Sequence, residues 1–467
     1  MTKGLNWVLG SNIVYLAIGA VILVGLPKVI SPLDFGNWQL YQLYATYFGY
    51  LTFGYTDGVY LRFGGESYDE LPKRSLSAGL WYQLMANTLC IGIVYGLASV
   101  VSSNHVIFLL AAVISSVFYI SRTLITVMMQ ITGHSRDFAI ATLVERVALF
   151  IGLGVLLLMG YGEVDLLIWT DVMGKAIGLV CALFLARQIF CSRPLFNWTT
   201  LKQYFSDCRA GLYVLVANLS AILINGVIRL AIEHGWGVVA FGQVSLAFQL
   251  LTFVLVFINS VSLSIFPNLK RLPQSEYSHA YDQLRSRFVT PLVLALGLYF
   301  PIAWLLTIWL PDYSSSARYL AILFPLCIYE TTSRGIVGVF LKALRYERIL
   351  MVVNLFGLGL ACALAGISVW WLKDINAAVL SIVVALSARA VLSEWFLSRR
   401  IEIKIWRNAA TELALAVVFL GVALAVPHSG WAITTVYACL LIYGIYNRKK
   451  LILSDYPNEK KEQDSSQ

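Results

Sequence analysis

The chain has 467 residues, of which 59% are hydrophobic and only 13% charged, with a net charge of +9. A soluble chain of this length would divide into two or three domains, and 34 Lys and Arg with 25 Asp and Glu are too few to cover their surfaces, which excludes a cytosolic enzyme. Seven cysteines, an odd number without CxxC spacing, exclude a disulfide scaffold, and the five histidines form no ligand pair, so neither a metal nor a cofactor is expected.

Apolar segments follow one another along the chain, each close to the roughly 20 residues of helix that cross a hydrocarbon core. Fourteen are drawn: 5–27, 37–61, 76–100, 106–130, 139–159, 165–186, 211–232, 241–266, 288–310, 317–341, 349–371, 376–397, 410–427 and 430–447. The first is too long for a signal-peptide core and runs into Pro27-Lys28 without a small-residue cleavage site, so it reads as a retained helix. With fourteen spans, 25 Lys and Arg of the connections and ends fall on the side that holds both termini, and three (Lys28, Arg318 and Lys373) on the other. Cations collect in cytoplasmic loops, so both termini are expected on the cytoplasmic side. The positive net charge then reflects topology, and nucleic acid is not an expected partner.

External connections are short, which disfavours an extracytoplasmic enzyme domain. The expected organisation is an N-lobe at 1–186, a cytoplasmic linker at 187–210, a C-lobe at 211–400, an appended helix pair at 408–447 and a polar tail at 448–467. The halves repeat. An offset of 206 places Asn12 on Asn218, Phe35-Gly36 on Phe241-Gly242 and Leu40 on Leu246; an offset of 212 places Ser121-Arg122 on Ser333-Arg334 and Arg136 on Arg348. Each half has six helices starting from the same side, so the repeat is a parallel one. The fold expected is all-α integral membrane, about fourteen transmembrane helices in two six-helix lobes plus two C-terminal helices. Those last two, outside the repeat, should matter less for transport than the twelve-helix core.

The stretches Pro32-Leu33-Asp34-Phe35-Gly36-Asn37-Trp38 and Phe53-Gly54-Tyr55-Thr56-Asp57-Gly58, with Phe241-Gly242-Gln243 and Ser264-Ile265-Phe266-Pro267, resemble hairpins of the bacterial polysaccharide biosynthesis exporters, the Wzx-type flippases. The resemblance implies two lobes in a V around a central cavity. It also implies export of undecaprenyl-pyrophosphate-linked oligosaccharide repeat units across the bacterial plasma (inner) membrane for O-antigen or capsule, beside a polysaccharide polymerase and chain-length partners. The alternatives are a cation-coupled multidrug exporter of the same superfamily, and a membrane polymerase or ligase.

Six cations lie inside spans: Arg122, Arg146, Lys175, Arg229, Arg334 and Arg389. Each costs roughly 2.5–3.5 kcal/mol at the bilayer centre and is functional by default. A cation excess suits an anionic cargo, and guanidinium forks replace the water around a pyrophosphate. Arg122 and Arg334, equivalent in the repeat, lead as pyrophosphate ligands, followed by Lys175, Arg389 and Arg146. Each has a plainer reading. Asp171 with Lys175 and Glu330 with Arg334 stand four residues apart on one helix, where side chains meet, and Glu145 falls at the depth of Arg122. Arg229 and Glu394 sit near helix ends, where they could snorkel, and are set aside as ligands. Asp57 could carry a coupling ion or close a gate with Arg62, or simply be a polar helix end. Tyr41, Tyr44, Tyr47, Tyr55 and Tyr60 read as lobe interior ahead of sugar stacking.

Overall fold

The computed structural model describes residues 2–445 except 65, 67, 69, 102–105, 191, 270–272, 274, 275, 345, 404, 405, 426–429 and 432. The tail 447–467 and the loop cations Lys270, Arg271, Arg345 and Lys404 therefore lie outside the described residues. The chain separates into two compact units, Met1–Leu219 with Val238–Gly242, and Ser220–Gly237 with Gln243–Gln467. All regular structure among the described residues is helical. Among the described residues, eight helices are long and apolar enough to span a membrane, and a bent pair makes up to nine.

In the first unit, α1 (Thr2–Val29) leads into α2 (Pro32–Phe48), whose start is written locally. Ser31 accepts the Asp34 amide at 3.1 Å, Pro32 opens the first turn where no amide is needed, and Asp34 favours the dipole. The single span expected at 37–61 is broken: α2 stops at Phe48 and α3 (Tyr55–Phe63) begins after a turn with Phe53 and Gly54 at φ of 50° and 81°. Glycine is required at Gly54, because a Cβ there would lie 2.7 Å from the Cys208 carbonyl oxygen. Helices α4 (Lys73–Val101), α5 (Val106–Ile131), α6 (Ser135–Leu158) and α7 (Val164–Leu185) complete this unit with the first part of α9; a short α8 (Arg187–Phe190) follows α7.

The connection expected at 187–210 is helical from Trp198 onward. There α9 (Trp198–Leu269) is two helices that meet at a kink at Gly237 (φ 83°, ψ 176°), and the kink separates the seventh and eighth expected spans.

The second unit contains α10 (Tyr277–Leu294), α11 (Tyr299–Trp309), α12 (Ser314–Leu323), α13 (Leu326–Glu330), α14 (Gly338–Ala343), α15 (Glu347–Gly366), α16 (Ile375–Ile401), α17 (Trp406–Ala425) and α18 (Ile433–Ile445). The tenth expected span is here a bent element: α12 and α13 meet around Pro325 at 51°, and a π-helical turn, Thr331–Val337, joins α13 to α14. Large apolar side chains such as Ile13, Leu89, Val180, Trp304 and Val417 are exposed, the outer surface a helix presents to lipid.

Candidate functional site: buried ion clusters in each unit

Among the described residues, most of the membrane-embedded charges gather into three clusters, one in the first unit and two in the second. In the first, Lys175 and Asp171, one turn apart on α7, pair at 2.6 Å, and Tyr41 of α2 donates its hydroxyl to the same carboxylate oxygen at 2.6 Å. Lys175 also reaches the Tyr41 hydroxyl at 3.4 Å. Tyr41 is fully buried and so belongs to the lobe interior. Arg122 of α5 meets Glu145 of α6 at 2.6 Å, in an alignment that makes an ion pair more than a hydrogen bond. Its guanidinium lies 5.4 Å from the Tyr119 ring centre. Arg146 lays its guanidinium 4.5 Å above the ring of Tyr15, while its buried Nε has no hydrogen-bond acceptor.

The gate pair does not form: Arg62 meets Asp207 of α9 at 3.3 Å instead of Asp57. Helix geometry explains this, because five residues turn Asp57 and Arg62 well away from one face. Asp57 is half-buried in the first turn of α3, a position the helix dipole favours for a carboxylate.

In the second unit, Glu330 closes α13 and holds two guanidiniums, Arg334 at 2.5 Å and Arg389 of α16 at 2.6 Å. One carboxylate between two arginines leaves a positive charge in excess. The two cations differ in surroundings. Arg389 is 2% exposed, whereas Arg334 is 44% exposed. From Tyr319 to Leu341 every residue is buried except Arg334. A helix closed in on all sides thus opens at one arginine, which sits on the π-helical turn, a helix irregularity frequent at functional sites.

The repeat predicts like surroundings for Arg122 and Arg334, but the Arg122 side chain is only 9% exposed. Its counter-ion comes from a neighbouring helix and holds it inward, whereas the partner of Arg334 lies one turn back on the same element.

The other second-unit cluster was not legible as a site. Arg285 of α10 grips Glu412 of α17 with two hydrogen bonds of 2.9 and 2.8 Å, and also meets Glu394 of α16; Tyr281 donates to Glu394 and accepts from Arg285 at 2.9 Å. All four side chains are buried. Glu394 therefore does not snorkel. Neither does Arg229, which is buried and donates to the Ser245 hydroxyl at 3.1 and 2.5 Å. The available signal for Arg285 was Glu412, an acid inside an apolar run with nothing opposite it in its own helix.

No protein-family model matches the sequence, and no curated protein matches it significantly. Solved structures do match. The lipid II flippase MurJ, in an inward closed conformation, aligns at a TM-score of 0.66 with 13% identity over 95% of this chain and 99% of its own. An inward-facing multidrug resistance MATE family transporter of the MOP superfamily aligns at 0.60 with 13% identity over 84% and 98%. A MOP superfamily transporter from Pyrococcus furiosus, described as having a binding pocket of reverse polarity, aligns at 0.55 with 13% identity over 86% and 94%. The chain is thus a multi-pass membrane protein with the all-α, multi-span fold of these transporters.

Proposed function

We propose that this chain is a flippase that exports undecaprenyl-pyrophosphate-linked oligosaccharide repeat units across the bacterial plasma membrane by alternating access, with Arg334 as the residue that touches the pyrophosphate. The observation that carries the reading is Arg334, the one exposed side chain in the buried run Tyr319–Leu341, backed by a carboxylate already shared with Arg389. An arginine half-neutralised by a buried partner and open on its other edge is built to take an anion, because its remaining N–H donors form a planar fork matched to phosphate oxygens. Arg389 positions Glu330 and through it Arg334. Arg122, Lys175 and Arg146 set a positive balance in the first unit, where three cations accompany Glu145 and Asp171. Asp57 is the candidate for ion coupling, and both termini are proposed to lie on the cytoplasmic side.

The likeness to a lipid II flippase over nearly the whole chain supports a lipid-linked cargo, and the hairpin resemblance supports a surface-polysaccharide repeat unit with polymerase and chain-length partners. The multidrug reading draws on the MATE likeness. It is disfavoured by the excess of membrane-embedded cations, which repels cationic drugs. Depletion of the protein followed by analysis of lipid-linked sugars tests the proposal: repeat units accumulate on the inner leaflet if it holds, and unchanged lipid-linked sugars with altered drug efflux would overturn it in favour of the alternative.

A further inference from the structure

Among the described clusters, Arg285, Glu394, Glu412 and Tyr281 alone have more acid than base. Asp171 has Lys175, Glu145 has Arg122 and Glu330 has two arginines, but Glu394 and Glu412 share the single guanidinium of Arg285. Among the described residues, the other titratable groups facing the cluster are acids or phenols: the exposed Asp282 of α10, Tyr329 of α13 beside Glu412, and Tyr443 of α18 near Arg285. Arg389, on the same helix as Glu394, is committed to Glu330.

Two buried carboxylates on one cation leave a negative charge uncompensated in a medium where each such charge costs several kcal/mol. A bound proton removes it. The oxygens indicate where: Glu412 places both of its oxygens on Arg285, whereas Glu394 meets Arg285 and Tyr281 through Oε1. The other oxygen of Glu394, which takes neither of these two contacts, is the one assigned the proton.

We propose that Glu394 and Glu412, held on Arg285, bind one proton between them, and that its release is a switch that loosens α17 from α10 and α16. Arg285 lies eight residues into α10, Glu394 seven before the end of α16 and Glu412 six into α17. At 1.5 Å per residue all three sit roughly 9–12 Å from the same helix-end boundary, so the proton leaves to water there over a short path. Once it has left, the excess charge draws water inward, and α17, which Glu412 ties to Arg285, yields at that end. The switch is independent of which cargo is carried, and its test uses none.

The protein in lipid nanodiscs is titrated with pH while infrared spectra are recorded. The expected result is a protonated-carboxyl carbonyl band that fades as pH rises in the wild type and is missing in both Glu394→Gln and Glu412→Gln, since either change leaves one carboxylate for one guanidinium. Hydrogen exchange of the α17 amides should rise about tenfold across the same titration in the wild type, equivalent to about 1.4 kcal/mol of lost protection, and should not respond to pH in Glu394→Gln. Absence of the band in the wild type, its persistence in either variant, or the same pH response of α17 in Glu394→Gln would overturn the proposal. The infrared titration of the wild type decides the question even if a variant fails to accumulate.

Discussion

Arg389 Nη2 lies 2.6 Å from Glu330 Oε1, which ties a buried guanidinium of α16 to the carboxylate that also holds Arg334. The two ends of this link should tolerate loss unequally. Glu330→Gln strands Arg389 in the interior and is expected to cost about 3–5 kcal/mol, the usual penalty for breaking a buried pair. Arg389→Met leaves Glu330 its second partner, Arg334, and is expected to cost about 1–3 kcal/mol. Thermal melting of the purified variants in detergent should rank Glu330→Gln well below Arg389→Met; the reverse order would contradict the shared-carboxylate picture.

Arg334 is open on one side, so its replacement should leave the fold intact and affect export. Arg334→Lys keeps the charge but loses the planar fork, and export should fall about tenfold or more, as losing a charge-assisted hydrogen bond worth roughly 1.5–3 kcal/mol implies. Surface polysaccharide and protein abundance, measured together, check this. Normal polysaccharide in Arg334→Lys at normal abundance would remove Arg334 from the cargo path.

Arg122 should behave in the opposite way. Buried against Glu145, it is expected to act through stability, so Arg122→Gln lowers abundance by leaving the carboxylate unpaired. Adding Glu145→Gln should restore both abundance and export. Failure of the double variant to export at normal abundance would instead assign Arg122 to the cargo.

Gly36 and Gly242, equivalent in the internal repeat, approach so closely that a Cβ built on Gly242 would lie 2.9 Å from the Gly36 Cα. Gly36→Ala would place its Cβ 2.4 Å from the Val238 carbonyl oxygen, a clash with backbone that cannot rotate away. Accumulation should drop sharply, with a cost of about 1–3 kcal/mol or more. Gly359→Ala, where nothing lies within 4 Å, is the control and should be neutral or stabilise α15 by up to about 1 kcal/mol. Folded yield by size-exclusion chromatography separates the two.

The expectation that the last two helices matter less for transport than the core meets two ties to that core: Glu412 of α17 grips Arg285 of α10, and the Tyr437 hydroxyl of α18 donates to the Gly297 carbonyl at 2.8 Å. Truncation after Arg407 removes both ties. It should destabilise the remaining core, seen as a lower melting temperature, while Glu412→Gln in the full chain should have a smaller effect. An intact, fully stable truncated protein would return the pair to the status of an appendage.

Composition and spacing alone determined the class of this protein, because apolar runs near twenty residues and a lopsided distribution of Lys and Arg follow from the bilayer. The pairs Asp171 with Lys175 and Glu330 with Arg334 were legible for a related reason: a helix brings residues four apart together whatever else surrounds it. Arg389 on Glu330, Arg285 between Glu394 and Glu412, and Arg62 on Asp207 join residues 59, 109, 127 and 145 positions apart, and no local period encodes which helix faces which. The break between α2 and α3 belongs with them, since the need for glycine at Gly54 comes from the backbone of α9 pressed against it. Exposure was the other quantity settled only in three dimensions. Arg122 and Arg334 are twins in the repeat, and tertiary packing alone buried one and opened the other, because one counter-ion sits across a helix interface and the other one turn away on the same strand of backbone.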